Sequence, residues 1–154
     1  MITGCTSKNS SDDFAGLPIN SSISAIKGQG FSCKIQGDKN RCVRFDNNPT
    51  IFNESIKEIY VVFDKKETIS YISVTLAKEP NGLEDFLDLT NRLSATYEKR
   101  KSKNESNVGP IYMGNWNRSD NSVVRLTITN TIPGFMRGSI DIGLIPSSKV
   151  TGDI

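Results

Sequence analysis

Residues 56–76 read IKEIYVVFDKKETISYISVTL and contain the clearest structural signal in the chain. Two stretches rich in β-branched and aromatic residues, 56–63 and 68–76, flank the polar segment 64–67. This pattern predicts a β-hairpin. Alternation along the second strand predicts two distinct faces. One face carries Ile72, Val74 and Leu76, and the other carries Ile69 and Tyr71.

Strand periodicity returns in the C-terminal third of the chain. Residues 111–117 and 123–130 predict a second hairpin around the polar turn 118–121, and residues 138–145 predict a last strand. Apolar and polar residues alternate in these strands, as they do in half-buried sheets. The residues expected to point inward are Val124, Leu126, Ile128, Ile140, Ile142 and Leu144.

The segment between the two hairpins predicts the main helix. Its apolar residues recur at three- and four-residue spacing, so one helix face would bury them. This stripe consists of Leu83, Phe86, Leu87, Thr90, Leu93 and Tyr97. Asn81 and Glu84 approximate a capping box at the start. The basic residues near 99–103 suit the negative end of the helix dipole.

A first, shorter helix is predicted near residue 20, followed by a small hairpin over residues 31–45. Asn20 or Ser21 is expected to cap the start of this helix. Ile23 and Ile26 would form its apolar stripe, and Gly28 and Gly30 would end it. With the helix near residue 90 and the other hairpins, the element order becomes αββββαβββ. We therefore expect an α+β fold in which two helices pack on one face of an antiparallel sheet.

The hairpin over residues 31–45 contains two of the three cysteines. A two-residue turn at positions 37 and 38 would place Cys33 opposite Cys42 as a non-hydrogen-bonded pair, where side chains approach most closely. A disulfide here would contribute about 2–3 kcal/mol by loop closure, less any strain. Metal binding by two thiolates without histidine is a poorer alternative. A redox pair more often has the spacing Cys-x-x-Cys.

The third cysteine lies in the stretch Ile2-Thr3-Gly4-Cys5, which resembles the lipobox of bacterial lipoproteins. No basic or apolar leader precedes it, so we interpret Met1 as a start that replaces most of a signal peptide. The resemblance implies that Cys5 is lipidated. It also implies, through Thr6 at the next position, an outer-membrane location facing the periplasm. An ordinary N-terminus with a chance cysteine is the alternative interpretation.

The lipobox and the composition together define three regions. Residues 1–17 are expected to form the lipoprotein N-terminus and a flexible tether, because positions 6–13 are small and polar. Residues 18–148 are expected to form a single α+β domain, and residues 149–154 a C-terminal tail. The whole chain has 154 residues, which suffices for one hydrophobic core.

Composition excludes several classes of function. The chain has no histidine, so Ser/His and Cys/His catalytic pairs are impossible within it. Its net charge of +2 gives no concentrated basic face for nucleic acid. Glycine-rich phosphate-binding motifs are absent from the sequence. The carboxylates at 84, 85 and 88 could in principle act as a glycosidase acid/base pair, but they are better explained as charges at the N-terminus of the helix. We expect a non-enzymatic protein without cofactor or metal.

The remaining signal indicates recognition of another protein. Phe135, Met136 and Arg137 lie in a connection between two predicted strands, and these residue types are enriched in interfaces. Trp116 and Phe52 also lie in or near connections. We predict that these five residues contribute to partner binding. The alternative is that the aromatic residues fold back and close the ends of the core.

These observations favour an envelope lipoprotein that binds a protein partner and contacts the membrane only through its lipid. The leading hypothesis is an immunity or inhibitor protein that neutralises a toxin or hydrolase. A structural accessory subunit of an envelope assembly or secretion complex is the second hypothesis. Capture of a small ligand between sheet and helices is a third, and it requires a sizeable apolar cavity.

Overall fold

The structure is a computed structural model that describes Phe14 and residues 19–36, 39–45, 50–100, 106–108 and 111–149. The predicted lipidation site Cys5, the tether apart from Phe14, and residues 150–154 of the predicted tail lie outside these residues. Phe14 itself is fully buried in the core, and the guanidinium of Arg118 lies 5.9 Å from the centre of its ring. The folded part therefore includes a residue that we assigned to the tether.

Ten antiparallel strands and one α-helix make up the described part of the chain. The bounds are β1 Ser32–Gln36, β2 Lys39–Phe45, β3 Thr50–Ile51, β4 Glu54–Phe63, β5 Ile69–Leu76, α1 Gly82–Thr96, β6 Glu98–Lys99, β7 Ser106–Val108, β8 Ile111–Asn117, β9 Ser122–Thr129 and β10 Ser139–Pro146. The strands form one sheet in the order β1-β2-β4-β5-β10-β9-β8-β6, with β3 paired to β4 and β7 paired to β8. The strands predicted in each hairpin are all present.

The prediction of two helices packed on one face is wrong. The structure is mostly an antiparallel sheet, and the segment expected to form the first helix makes only a 3₁₀ turn, Ile23–Ile26. The backbone on either side of residue 22 pairs with the start of β5 instead: Ile69 N–H donates to Ser21 O at 2.7 Å, and Ile23 N–H donates to Glu67 O at 2.7 Å. These bonds satisfy Ser21 O, which a helix would have bonded internally, and Ile23 N–H, which would lack an internal acceptor in the first turn of a helix.

The helix α1 packs on one face of the sheet, against β8 and β9. Phe86, Leu89 and Leu93 are buried there, whereas Leu83 and Leu87 are half exposed although we predicted them in the buried stripe. Successive helical residues are rotated by about 100°, so a stripe centred on Phe86 and Leu89 leaves Leu87 at its border. We call this side of the sheet the inner face.

A β-bulge near the start of β5 changes the face of the sheet on which Ile69 lies. Val62 pairs with Tyr71 and Phe63 pairs with Ile69, so Ser70 is the extra residue. The bulge brings Ile69 to the inner face, where it is fully buried with Ile72 and Val74. The prediction that Ile69 lies on the opposite face from Ile72 is therefore wrong, because simple alternation does not hold across a bulge.

The predicted disulfide is confirmed. Cys33 pairs with Cys42 in the β1–β2 ladder, their Cα atoms are 4.0 Å apart, and their sulfur atoms are bonded. The predicted register of the hairpin, with Gln36 opposite Lys39, is also present. The bridge joins the end strand β1 covalently to the rest of the sheet.

Candidate functional site

The β9–β10 connection is an ordered loop. Phe135 N–H donates to Ile132 O at 3.0 Å across Pro133 and Gly134, and Gly134 has a φ of +80°. Proline followed by a residue with positive φ is the arrangement of a type II turn. Ile132 and Met136 also exchange backbone hydrogen bonds at 2.9 and 3.0 Å. The loop therefore holds its side chains on a small hydrogen-bonded frame.

This frame presents apolar side chains to solvent. Phe135 is 89% exposed and Met136 is 39% exposed. The neighbouring Arg137 is exposed and lies 3.4 Å from Glu79, a surface ion pair that contributes little stability. The structure thus brings together the three residues that we predicted in this loop. We call Phe135, Met136 and Arg137 the loop patch.

Trp116 lies inside the core and is not exposed to solvent. Its indole is fully buried, and its N–H donates to Ser94 Oγ of α1 at 2.9 Å. Gly114 lies two residues away on the same face, and a Cβ atom there would be 2.9 Å from the indole ring. The missing side chain of Gly114 therefore makes room for the indole.

Phe52 is also buried, at 5% exposure, although it occupies a turn. Its φ is +50°, which side chains rarely adopt, and its ring contacts Tyr97 edge-on with ring centres 6.2 Å apart. Arg92 of α1 fixes the turn by donating to Phe52 O at 2.6 Å. Trp116 and Phe52 thus close the core, while the loop patch remains on the surface.

Sequence reasoning missed a second apolar surface, at strand β1. This strand lies at one end of the sheet order, and its Ile35 is 72% exposed on the same face as Cys33. Ile35, Cys33 and Phe31 border a pocket of about 320 Å³ whose other apolar walls include Ile23, Ile26 and Phe63. The alternation of Phe31, Cys33 and Ile35 along one face was the available signal in the sequence.

A charged network joins the start of α1 to the sheet. Asp85 is buried, accepts a hydrogen bond from Asn81 N–H at 2.5 Å, and lies 2.8 Å from Lys78 Nζ. The hydrogen bond with Asp85 is the main cause that raises the pKa of Lys78 above 10.5. These contacts give Asp85 the capping contact that we had expected from Glu84, which instead accepts from the side chain of Asn81.

Arg92 extends this network along the helix. Its guanidinium lies 2.8 Å from Glu54 and 2.6 Å from Asp88. Burial opposes the charge of Arg92, but the hydrogen bond to Glu54 and the field of Asp88 together raise its pKa. The pairs Asp85–Lys78 and Arg92–Glu54 thus connect α1 to the rest of the fold, whereas Asp88 pairs with Arg92 within the helix.

The described residues contain no group of three or more Cys, Asp or Glu side chains placed to hold a metal ion. Within the same ranges, no helix has the length and apolar character needed to span a bilayer. No protein family, characterised protein or solved structure shows significant similarity to the chain.

Proposed function

We propose that the chain is a non-enzymatic lipoprotein of the bacterial envelope that acts by binding another protein. Within that class, an immunity or inhibitor protein that neutralises a toxin or hydrolase is the function we favour. The observation that carries the proposal is the loop patch, in which a hydrogen-bonded turn holds Phe135 almost fully in solvent.

Two physical arguments support binding by the loop patch. Removing the exposed apolar side chain of Phe135 from water is favourable, so a partner that covers it would gain binding free energy. A turn that is already ordered loses little conformational entropy on binding, so more of this gain appears as affinity. Phe135 is also flanked by Arg137, a residue type that often contributes strongly at interface centres.

The proposed compartment follows from the sulfur chemistry. The Cys33–Cys42 disulfide is typical of proteins that work in oxidising compartments such as the periplasm. Lipidation of Cys5, as the resemblance to a lipobox implies, would hold the domain at the outer membrane. A change of Cys5 to Ser in the protein with its natural leader should then abolish lipid attachment, which mass spectrometry of the purified protein measures.

The binding proposal is tested with the full chain and paired variants. Phe135→Ala should weaken binding to the physiological partner by at least about tenfold, as expected for an aromatic interface anchor. Leu87→Ala, which truncates a half-exposed apolar residue on α1, is the matched control and should leave binding unchanged. A photoreactive side chain at position 135 should crosslink the partner, whereas one at position 87 should not.

The identity of the crosslinked partner decides between the two kinds of function. A toxin or hydrolase whose activity the wild-type chain suppresses, and Phe135→Ala fails to suppress, would support the immunity or inhibitor function. A subunit of an envelope assembly or secretion complex would favour the structural accessory function instead. Equal binding by the wild type and Phe135→Ala would contradict a role for the loop patch.

A further inference from the structure

We propose that strand β1 binds an extended acidic and apolar segment of another protein, which joins the sheet as an additional strand. This surface is separate from the loop patch and does not depend on it. The inference rests on four features of β1: its free edge, its covalent support, the apolar pocket beside it, and the positive charge on its other face.

The hydrogen-bond pattern of the hairpin identifies the free edge. Residues of an antiparallel pair alternate between those that bond across the ladder and those whose N–H and C=O point away. Because Cys33 and Cys42 form a closely spaced pair, the backbone groups of Cys33 and Ile35 point away from β2. No described strand pairs with β1 on that side. A guest strand can therefore bond to Cys33 and Ile35.

The edge is held in place before any guest arrives. The disulfide fixes Cys33 to β2, and the guanidinium of Arg44 lies 5.1 Å from the centre of the Phe31 ring. Arg44 also donates to Gln29 O at 3.1 Å, which holds the segment before β1. A pre-ordered edge reduces the entropy that a guest strand must lose on binding.

The pocket beside β1 supplies side-chain specificity. Guest residues opposite Cys33 and Ile35 would point to the inner face, where the pocket of about 320 Å³ opens. Its walls are mostly apolar, with Lys27 and Glu67 also bordering it, so leucine, valine or isoleucine suits these positions. In strand addition, main-chain bonds give affinity and pockets for alternate side chains give specificity.

The opposite face of β1 selects for acidic residues. Lys34 is exposed there and pairs across the ladder with Arg41, whose guanidinium lies 6.0 Å from the centre of the Tyr60 ring. Neither cation has an ion-pair partner among the residues that the structure describes. A glutamate or aspartate opposite Lys34 would form a favourable cross-strand pair. The preferred guest therefore alternates apolar and acidic residues.

The same charge disfavours a second copy of this chain as the occupant. In a two-fold antiparallel arrangement with the largest overlap of β1 strands, Lys34 faces Lys34 of the other copy. Like charges directly opposite each other destabilise a sheet. Edge lysines are a common device by which proteins avoid such self-pairing.

The test uses two seven-residue peptides with the oxidised full chain. One alternates leucine with glutamate, and the other alternates leucine with lysine. The glutamate peptide should bind at least about fivefold more tightly than the lysine peptide, as measured by fluorescence anisotropy. Lys34→Glu should reverse this order. Lys57→Glu, which makes the same change of net charge on β4, is the control and should retain it.

Hydrogen exchange of the backbone then distinguishes strand addition from adsorption to the surface. Binding should slow exchange at the amides of Cys33 and Ile35, with little change at Lys34, which already bonds to β2. Equal affinity for the two peptides, or binding without protection of Cys33 and Ile35, would overturn the proposal. So would protection of these amides in the peptide-free protein, because another part of the chain or a second copy would then occupy the edge.

The outcome is independent of the function proposed for the loop patch. Phe135→Ala should bind the glutamate peptide as the wild type does, because Phe135 contributes nothing to β1. Weaker binding of the glutamate peptide by Lys34→Glu, with capture of the loop-patch partner intact, would separate the two surfaces.

Discussion

At the residue scale, the fit of Trp116 shows how one large side chain depends on the absence of another. The indole lies over Gly114 on the inner face, and its N–H is satisfied by Ser94 of α1. The buried ring thus connects β8 to the helix through both packing and a hydrogen bond. Lys99 Nζ lies 5.7 Å from the centre of the Trp116 ring.

We therefore expect Gly114→Ala to destabilise the fold by about 1–3 kcal/mol, because the new methyl group would overlap the indole. Urea denaturation followed by circular dichroism measures this change, because Trp116 is the only tryptophan of the chain and is itself replaced in the second background. Trp116→Leu removes the ring that causes the overlap. In that background the cost of Gly114→Ala should shrink, and strictly additive costs would show that the indole is not the obstacle.

Adjacent carboxylates at the start of α1 have different roles. Asp85 is buried and contacts both Asn81 N–H and Lys78, whereas Glu84 is exposed and contacts only an exposed side chain. We expect Asp85→Asn to lower the free energy of unfolding by about 1–3 kcal/mol, because it removes the buried charge 2.8 Å from Lys78 and leaves that lysine only the more distant Glu54, at 3.8 Å. Glu84→Gln is the matched control and should change it by less than about 0.5 kcal/mol. Similar losses in both variants would contradict the assignment of the cap to Asp85.

Lys78 gives a prediction about pH. Its pKa in the folded state is raised above 10.5 mainly by the hydrogen bond to Asp85, so the folded state binds the proton more tightly than the unfolded state. The stabilisation is complete below pH 10.5 and is lost as the pH rises through the folded-state pKa. The stability difference between the wild type and Lys78→Gln should therefore be constant at neutral pH and shrink above pH 10.5. A stability difference that grows above pH 10.5 would contradict a raised pKa of Lys78 in the folded state.

At the scale of elements, the strands were easier to predict than the turn near residue 24 and the bulge in β5. The hairpins follow from alternation and polar turns, which are local properties of the sequence. The sequence predicts a helix where the structure has the short 3₁₀ turn Ile23–Ile26, because the serines before it and the glycines after it suit the ends of either structure. What decides the outcome is the pairing of Ser21 and Ile23 with residues near 68, which no local pattern reveals. The bulge at Ser70 was hidden for the same reason.

The β1–β2 hairpin gives the element-scale prediction. Reduction of the disulfide should lower the stability of the wild type by about 2–3 kcal/mol, because the unfolded chain regains the entropy of a short loop. The double variant Cys33→Ser with Cys42→Ser should be equally stable with and without reductant. Thermal unfolding under both conditions measures the two differences. Equal melting of the oxidised and reduced wild type would show that the bridge adds no stability.

At the scale of the whole molecule, sequence reasoning identified part of the candidate site. Phe135, Met136 and Arg137 were predicted from interface-prone residue types in a connection, and the structure presents them on one loop. Sequence reasoning did not distinguish these exposed residues from the buried Trp116 and Phe52, because burial depends on which elements pack together. The β1 edge was missed since its position at the end of the sheet follows from long-range strand order.

That strand order also has a consequence for how the chain acquires its structure. The β4–β5 hairpin and the β8–β9–β10 meander each form from neighbouring sequence, but they are joined by β5 and β10, where Thr75 donates to Asp141 at 2.5 Å across 66 residues. Closing so long a loop is slow compared with forming a hairpin. During synthesis, the edge of β5 therefore stays unpaired until β10 has emerged from the ribosome.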